Sequence, residues 1–133
     1  AACVEHFARY HLAVGFSLVL LYFDPSDGLG AEQAAAVSAV RELPGARIVE
    51  MTPGWLSAER ARNRLLVRAA EKGSLDEWPL ERLLAERLAQ GDPAARRLLA
   101  SEAAVREAQR LGMDWLLLLD AKELFHCPGD DAR

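Results

Sequence analysis

Two kinds of apolar pattern alternate along the chain, and their alternation predicts its elements. Val4, Phe7, Ala8, His11 and Leu12 recur at the spacing of one helix face and stop at Gly15, which predicts an amphipathic opening helix. Residues 16–23 then run almost wholly apolar, as a strand covered on both faces does. Asp24-Pro25-Ser26-Asp27-Gly28 ends that strand with dense turn chemistry, proline fixing φ and glycine permitting positive φ. A helix follows over 31–43, with a stripe through Ala35, Val37, Val40 and Leu43, stopped by Pro44-Gly45. Arg47-Ile48-Val49-Glu50-Met51 is a second, shorter strand candidate closed by Thr52-Pro53-Gly54.

From 57 to 111 the pattern is helical throughout. Ser57 can cap a helix running to Lys72-Gly73, and a second starts near Asp76 with Pro79 in its first turn and ends at Gln90-Gly91. Asp92-Pro93 restarts the pattern with an N-cap acid and a proline at the first helical position, and the third helix runs through Leu98, Leu99, Ala103, Val105 and Leu111 to Gly112. The run 115–119 is again apolar and predicts a second doubly covered strand with Trp115 in the core, discharging into Asp120, Lys122 and Glu123. Trp55 and Trp78 are expected to cover core. His11, on the apolar stripe, is expected to be packed or capping. Helix, strand, helix, strand with short joints predicts an α/β fold on a parallel sheet with right-handed crossovers.

Bulk properties narrow the classes. The 133 residues are 51% hydrophobic and 27% charged with a formal net charge of -4, so the chain can build a core. The basic footprint of a nucleic-acid binder is missing, because the arginines interleave with glutamates along helices as solvated faces. Cys3 and Cys127 lack metal-ligand spacing, and either pair if the termini meet or stay as two thiols. The longest apolar stretch, residues 14–23, is too short to span a bilayer. The chain has no initiator methionine and opens in helix-like sequence, so it is expected to start and stop inside a longer protein.

Two predicted strands thus end in acids, one at Asp24 and Asp27, the other at Asp120. Parallel in one sheet, they would share the carboxyl edge where open α/β sheets bind ligands. Carboxylates there suit the hydroxyls and amides of a ligand, and a divalent cation where two converge. The alternative is that these charges only begin solvated loops.

The same residues carry a resemblance. Glu5-His6-Phe7-Ala8-Arg9-Tyr10-His11-Leu12-Ala13-Val14-Gly15-Phe16 is similar to the E-W-x-x-Y-H-x-x-x-G opening of family 2-like and family 92 glycosyltransferases. Tyr22-Phe23-Asp24-Pro25-Ser26-Asp27-Gly28 resembles their Y-D-N-x-S-x-D-G turn. Asp114-Trp115-Leu116-Leu117-Leu118-Leu119-Asp120-Ala121-Lys122-Glu123-Leu124-Phe125 resembles their D-W-L-x-x-x-D-x-D-E-F block. The blocks come in the family's order and cover both ends of the chain.

The resemblance implies a Rossmann-like, GT-A type partial domain over 1–133 with a helical insertion at about 57–111. It also implies transfer of a sugar, of hexosyltransferase type, from a nucleotide-diphosphate sugar to an acceptor hydroxyl. Carried over, Asp24 contacts the base or ribose, Asp27 lies in the same turn, and Asp120 is the first acid of a DxD motif that holds ribose and a manganese or magnesium ion. Golgi or secretory membrane association is implied as well. Lys122 stands where the second DxD acid belongs, and an ammonium group repels a cation. Three outcomes are open: Lys122 neutralises the diphosphate itself, Glu123 turns in beside Asp120 as metal ligand, or the site is dead. In the resembled fold a further strand precedes the opening helix and lies between the two acid-ended strands; without it they would stand about 10 Å apart. The rivals are a non-catalytic α/β interaction module working through the helical insertion, and a plain doubly wound domain.

Overall fold

A computed structural model describes residues 2–25, 30–64, 66–67 and 79–126. Among them are five helices and one two-stranded parallel sheet, a mixed α/β arrangement. The chain gathers into two compact units, Ala1–Glu50 with Leu117–Arg133, and Met51–Leu116.

The first unit is built on the opening helix α1 (Ala2–Ala13), strand β1 (Val19–Phe23), helix α2 (Ala31–Arg41) and strand β2 (Ala46–Glu50). α1 ends as its sequence predicts, with Gly15 at φ +113 where a side chain would be strained. β1 and β2 pair in parallel from Val19 opposite Ala46 to Phe23 opposite Glu50. A parallel pair needs a crossover, and α2 supplies it. The face of α2 that goes inward carries Ala36 and Val40, so Ala35, on the predicted stripe, is exposed. Phe7 and Ala8 of α1, Val19 of β1 and Val40 of α2 form the buried cluster. Val4, Leu12, Leu21, Leu43, Ala46, Ile48 and Leu119 pack around it. Full burial of Val40 contributes about 2 kcal/mol.

The second unit is helical. Its first helix, α3 (Pro53–Arg62), begins earlier than the Ser57 cap predicts: Thr52 is the N-cap, its hydroxyl accepting the Trp55 amide at 3.2 Å, and Pro53 opens the helix. The Thr52-Pro53-Gly54 stretch therefore starts a helix as well as ending a strand. α3 stops at Asn63 rather than running to Lys72, because Asn63 turns extended and its side-chain oxygen accepts the Leu66 amide at 3.1 Å. Asp76 and Trp78 lie outside the described residues. α4 (Pro79–Ala89) and α5 (Pro93–Arg110) follow, joined through Gly91. Asp92 caps α5 as predicted, accepting the Ala94 amide at 2.8 Å.

Leu84 and Leu88 of α4 meet Ala95 and Leu99 of α5, with Trp55, Leu56 and Leu66 packed against them. Further along α5, Ala100, Ala104 and Ala108 are buried at four-residue spacing. Two polar side chains of α3's end are buried against α5: Glu59 pairs with Arg106, and Asn63 bonds Glu102. The expectation that the Glu/Arg pairs of the helical stretch are solvated holds for Arg82–Glu86 and Arg110–Glu107 but not for Glu59. Burying that carboxylate is tolerable because a guanidinium answers it. α5 ends at Gly112, φ +68, where the Met113 amide reaches the Ala108 carbonyl at 2.9 Å and the Gly112 amide the Gln109 carbonyl at 3.1 Å, a complete Schellman pair.

The strand predicted at 115–119 does not form. β1 has β2 as its one strand partner among the described residues, and the 115–119 run belongs to no sheet. Trp115, expected in the core, is 94% exposed, and Leu116, Leu117 and Leu118 are exposed as well. An apolar run becomes a strand only where a neighbouring edge takes its backbone groups, and no strand among the described residues does so. Leu119 alone of the run is packed into the first cluster. No described helix is long and apolar enough to cross a membrane.

Candidate functional site

Asp24 follows the last residue of β1 and is half-buried, at the carboxyl end of the parallel pair. Asp27 lies outside the described residues, as does Cys127. Asp120, Lys122 and Glu123 sit exposed on a turn that follows Leu119. Leu119 packs into the cluster to which β1 contributes Val19 and Leu21, so the acid-bearing turn and the end of β1 belong to one compact unit.

The turn closes on itself. The Glu123 amide bonds the Asp120 carbonyl at 2.9 Å, the Asp120 carboxylate accepts the Lys122 amide at 3.2 Å, and the Glu123 carboxylate reaches back to the Asp120 amide at 3.0 Å. The Glu123 carboxylate on the Asp120 amide is one half of a capping box; the Asp120 carboxylate takes the Lys122 amide in place of the Glu123 amide, which goes to the Asp120 carbonyl. The D-x-x-E spacing of Asp120 and Glu123 is the sequence signal for this turn. As placed, the two carboxylates serve turn amides with the Lys122 ammonium between them in sequence, which is not the oxygen shell a manganese or magnesium ion takes. Among the described residues no three His, Cys, Asp or Glu side chains gather as for a metal ion.

What holds the turn in place comes from the far end of the chain. The Tyr10 hydroxyl donates to the Phe125 carbonyl at 2.7 Å, and the Phe125 amide donates to Nε2 of His11 at 3.1 Å. His11 is 2% exposed, and its Nδ1 lies 2.8 Å from the Phe7 carbonyl one turn back. Phe16 stacks edge-on against Phe125, ring centroids 5.5 Å apart, and against His11 at 5.4 Å. The expectation that His11 is packed is met, and its partner is a backbone group 114 residues away. A histidine on an apolar helix stripe signals that some buried partner must exist; it does not say which.

Comparison with known proteins gave no match. No family model, no curated protein and no solved structure aligns with this chain.

Proposed function

We propose that the first unit is a GT-A type, Rossmann-like nucleotide-sugar site of glycosyltransferase character. Its donor would lie across the carboxyl end of β1 and the 120–123 turn. The observation that supports this most is the meeting of the resembling blocks: Tyr10 and His11 of the opening block bind Phe125 of the last block, while Leu119 packs against the cluster to which β1, the strand that precedes Asp24, contributes Val19. On this reading Asp24 and Asp27 take the hydroxyls and amides of the nucleoside, Asp120 the ribose, and the Lys122 ammonium offsets the charge of the departing diphosphate. The Lys122 role needs no cation. A manganese or magnesium ion on Asp120 and Glu123 would first have to draw both carboxylates off the turn amides.

Isothermal titration with uridine and guanosine diphosphates, with and without manganese, tests both parts. Binding without manganese that is lost in Asp24→Ala and weakened in Lys122→Ala is the expected result; no heat from either nucleotide removes the donor site. Lys122→Asp should introduce manganese dependence, and an unchanged metal response would take Lys122 out of the site.

A second reading, an interaction module, is favoured by Leu98 and Val105, both exposed and seven residues apart on α5. It expects function to survive Asp24→Ala and Asp120→Ala and to fail in the double change Leu98→Glu with Val105→Glu.

A further inference from the structure

His11 is a buried titratable group that the donor reading does not use, and its bonding leaves one protonation state. The Phe125 amide can only donate, so Nε2 must present a lone pair. The Phe7 carbonyl can only accept, so the ring proton sits on Nδ1. The ring is therefore neutral as placed. Its face is covered by Phe7, with centroids 4.2 Å apart, and its edge contacts include Phe16 and Tyr10.

A second proton would go to Nε2, facing an N–H with an N–H, and would leave a charge in a site that is 2% exposed. Titratable groups on the segments around it are the Tyr10 phenol with His6 stacked at 6.3 Å, Asp24 beyond β1, and Asp120, Lys122, Glu123 and His126 on the closing segment. Glu5 and Arg9 of α1 pair with each other at the surface, as do Arg41 of α2 and Glu50 of β2. Both ring nitrogens are given to backbone atoms, so an imidazolium there would have no carboxylate on either of them.

We propose that Tyr10 and His11 form a proton-sensitive clasp: neutral His11 holds the 120–125 segment on α1, and protonation releases it together with Asp120, Lys122 and Glu123. The clasp is present at neutral and alkaline pH and lost on acidification, the direction set by the lone pair that Nε2 must keep. Its consequence for a ligand rests on the donor-site reading; the clasp itself does not.

Amide hydrogen exchange by NMR on the whole chain, corrected for intrinsic rates, tests it without any ligand at about pH 8 and about pH 5, values that bracket imidazole titration. Protection of the Phe125 amide is expected to fall about tenfold or more at the lower pH, while the Val19 amide, bonded to the Gly45 carbonyl in the sheet, stays protected. His11→Gln, whose carbonyl oxygen can accept the same amide without titrating, should stay closed at both pH values. His11→Phe, which fills the space but cannot accept, should be open at both. Equal Phe125 protection at the two pH values, the same acid loss in His11→Gln, or parallel loss at Val19 and Phe125 would each overturn the clasp. Should nucleotide bind, acid weakening in the parent and its absence in His11→Gln would extend the clasp to the site; a silent nucleotide titration would fail the donor reading and leave the exchange result standing.

Discussion

Gly45 is the residue on which the turn before β2 depends. Its φ is +83, and a Cβ there would lie 3.0 Å from the Leu12 side chain and 3.2 Å from the Ser17 carbonyl oxygen. Its own carbonyl meanwhile accepts the Val19 amide at 2.8 Å, so the backbone cannot move off without loosening the sheet. Gly45→Ala should cost about 2 kcal/mol or more, read as a lower urea midpoint. Gly15 is a useful contrast, since its φ is +113 but nothing lies within 4 Å of an added Cβ. Alanine there should cost only the backbone strain, and equal losses at the two sites would show that the contacts at Gly45 are unimportant. Pro44-Gly45 was legible as a stop; the closeness of Leu12 and Ser17 was not, because both come from earlier in the chain and meet the turn only once it is folded.

At the scale of elements, helix starts are set by single side chains within three residues of the break. Thr52→Ala removes the acceptor for the Trp55 amide and should destabilise the helical unit by about 1 kcal/mol, measured by thermal unfolding. Asp92 offers the pH-dependent version. Its carboxyl is held below its ordinary value of 3.8, first by the Ala94 amide and then by Arg87. A carboxyl lowered on folding adds stability above its unfolded value and loses it as pH falls through the folded one. The parent's advantage over Asp92→Ala should therefore shrink as pH drops below about 3.8; a difference that stayed constant in acid would remove charge from the cap's role. Both caps stood in the sequence as Thr-Pro and Asp-Pro. Asp92-Pro93 signals a helix start unambiguously, whereas Thr52-Pro53 also lies where a strand has to end.

At the scale of the whole molecule, the described residues form two hydrophobic clusters, one around the sheet and one among the helices of the second unit. Leu99, 1% exposed, anchors the helical cluster, and Val40 the one around the sheet. Leu99→Ala should cost about 3 kcal/mol and Val40→Ala about 2 kcal/mol, each lowering amide protection first within its own unit. Uniform loss across both units from either change would mean that they open as one cooperative body. The exposed run 115–118 is the largest departure from expectation, and it shows where reading by hydrophobicity stops. Four apolar side chains in a row state a preference for burial, and burial requires a surface that comes from elsewhere in the fold.

What the sequence determined by itself is what closes over a few residues. The Asp92 and Gly112 boundaries, the parallel β1–α2–β2 unit and the self-bonded 120–123 turn all draw their partners from nearby in the chain. What the tertiary structure alone decided is which distant groups meet: that His11 and Tyr10 receive Phe125, that Glu59 finds Arg106, and that the 115–119 run finds no strand among the described residues. The physical reason is that a hydrogen-bond donor or an apolar face specifies the kind of partner it needs, and only the folded chain specifies where that partner is.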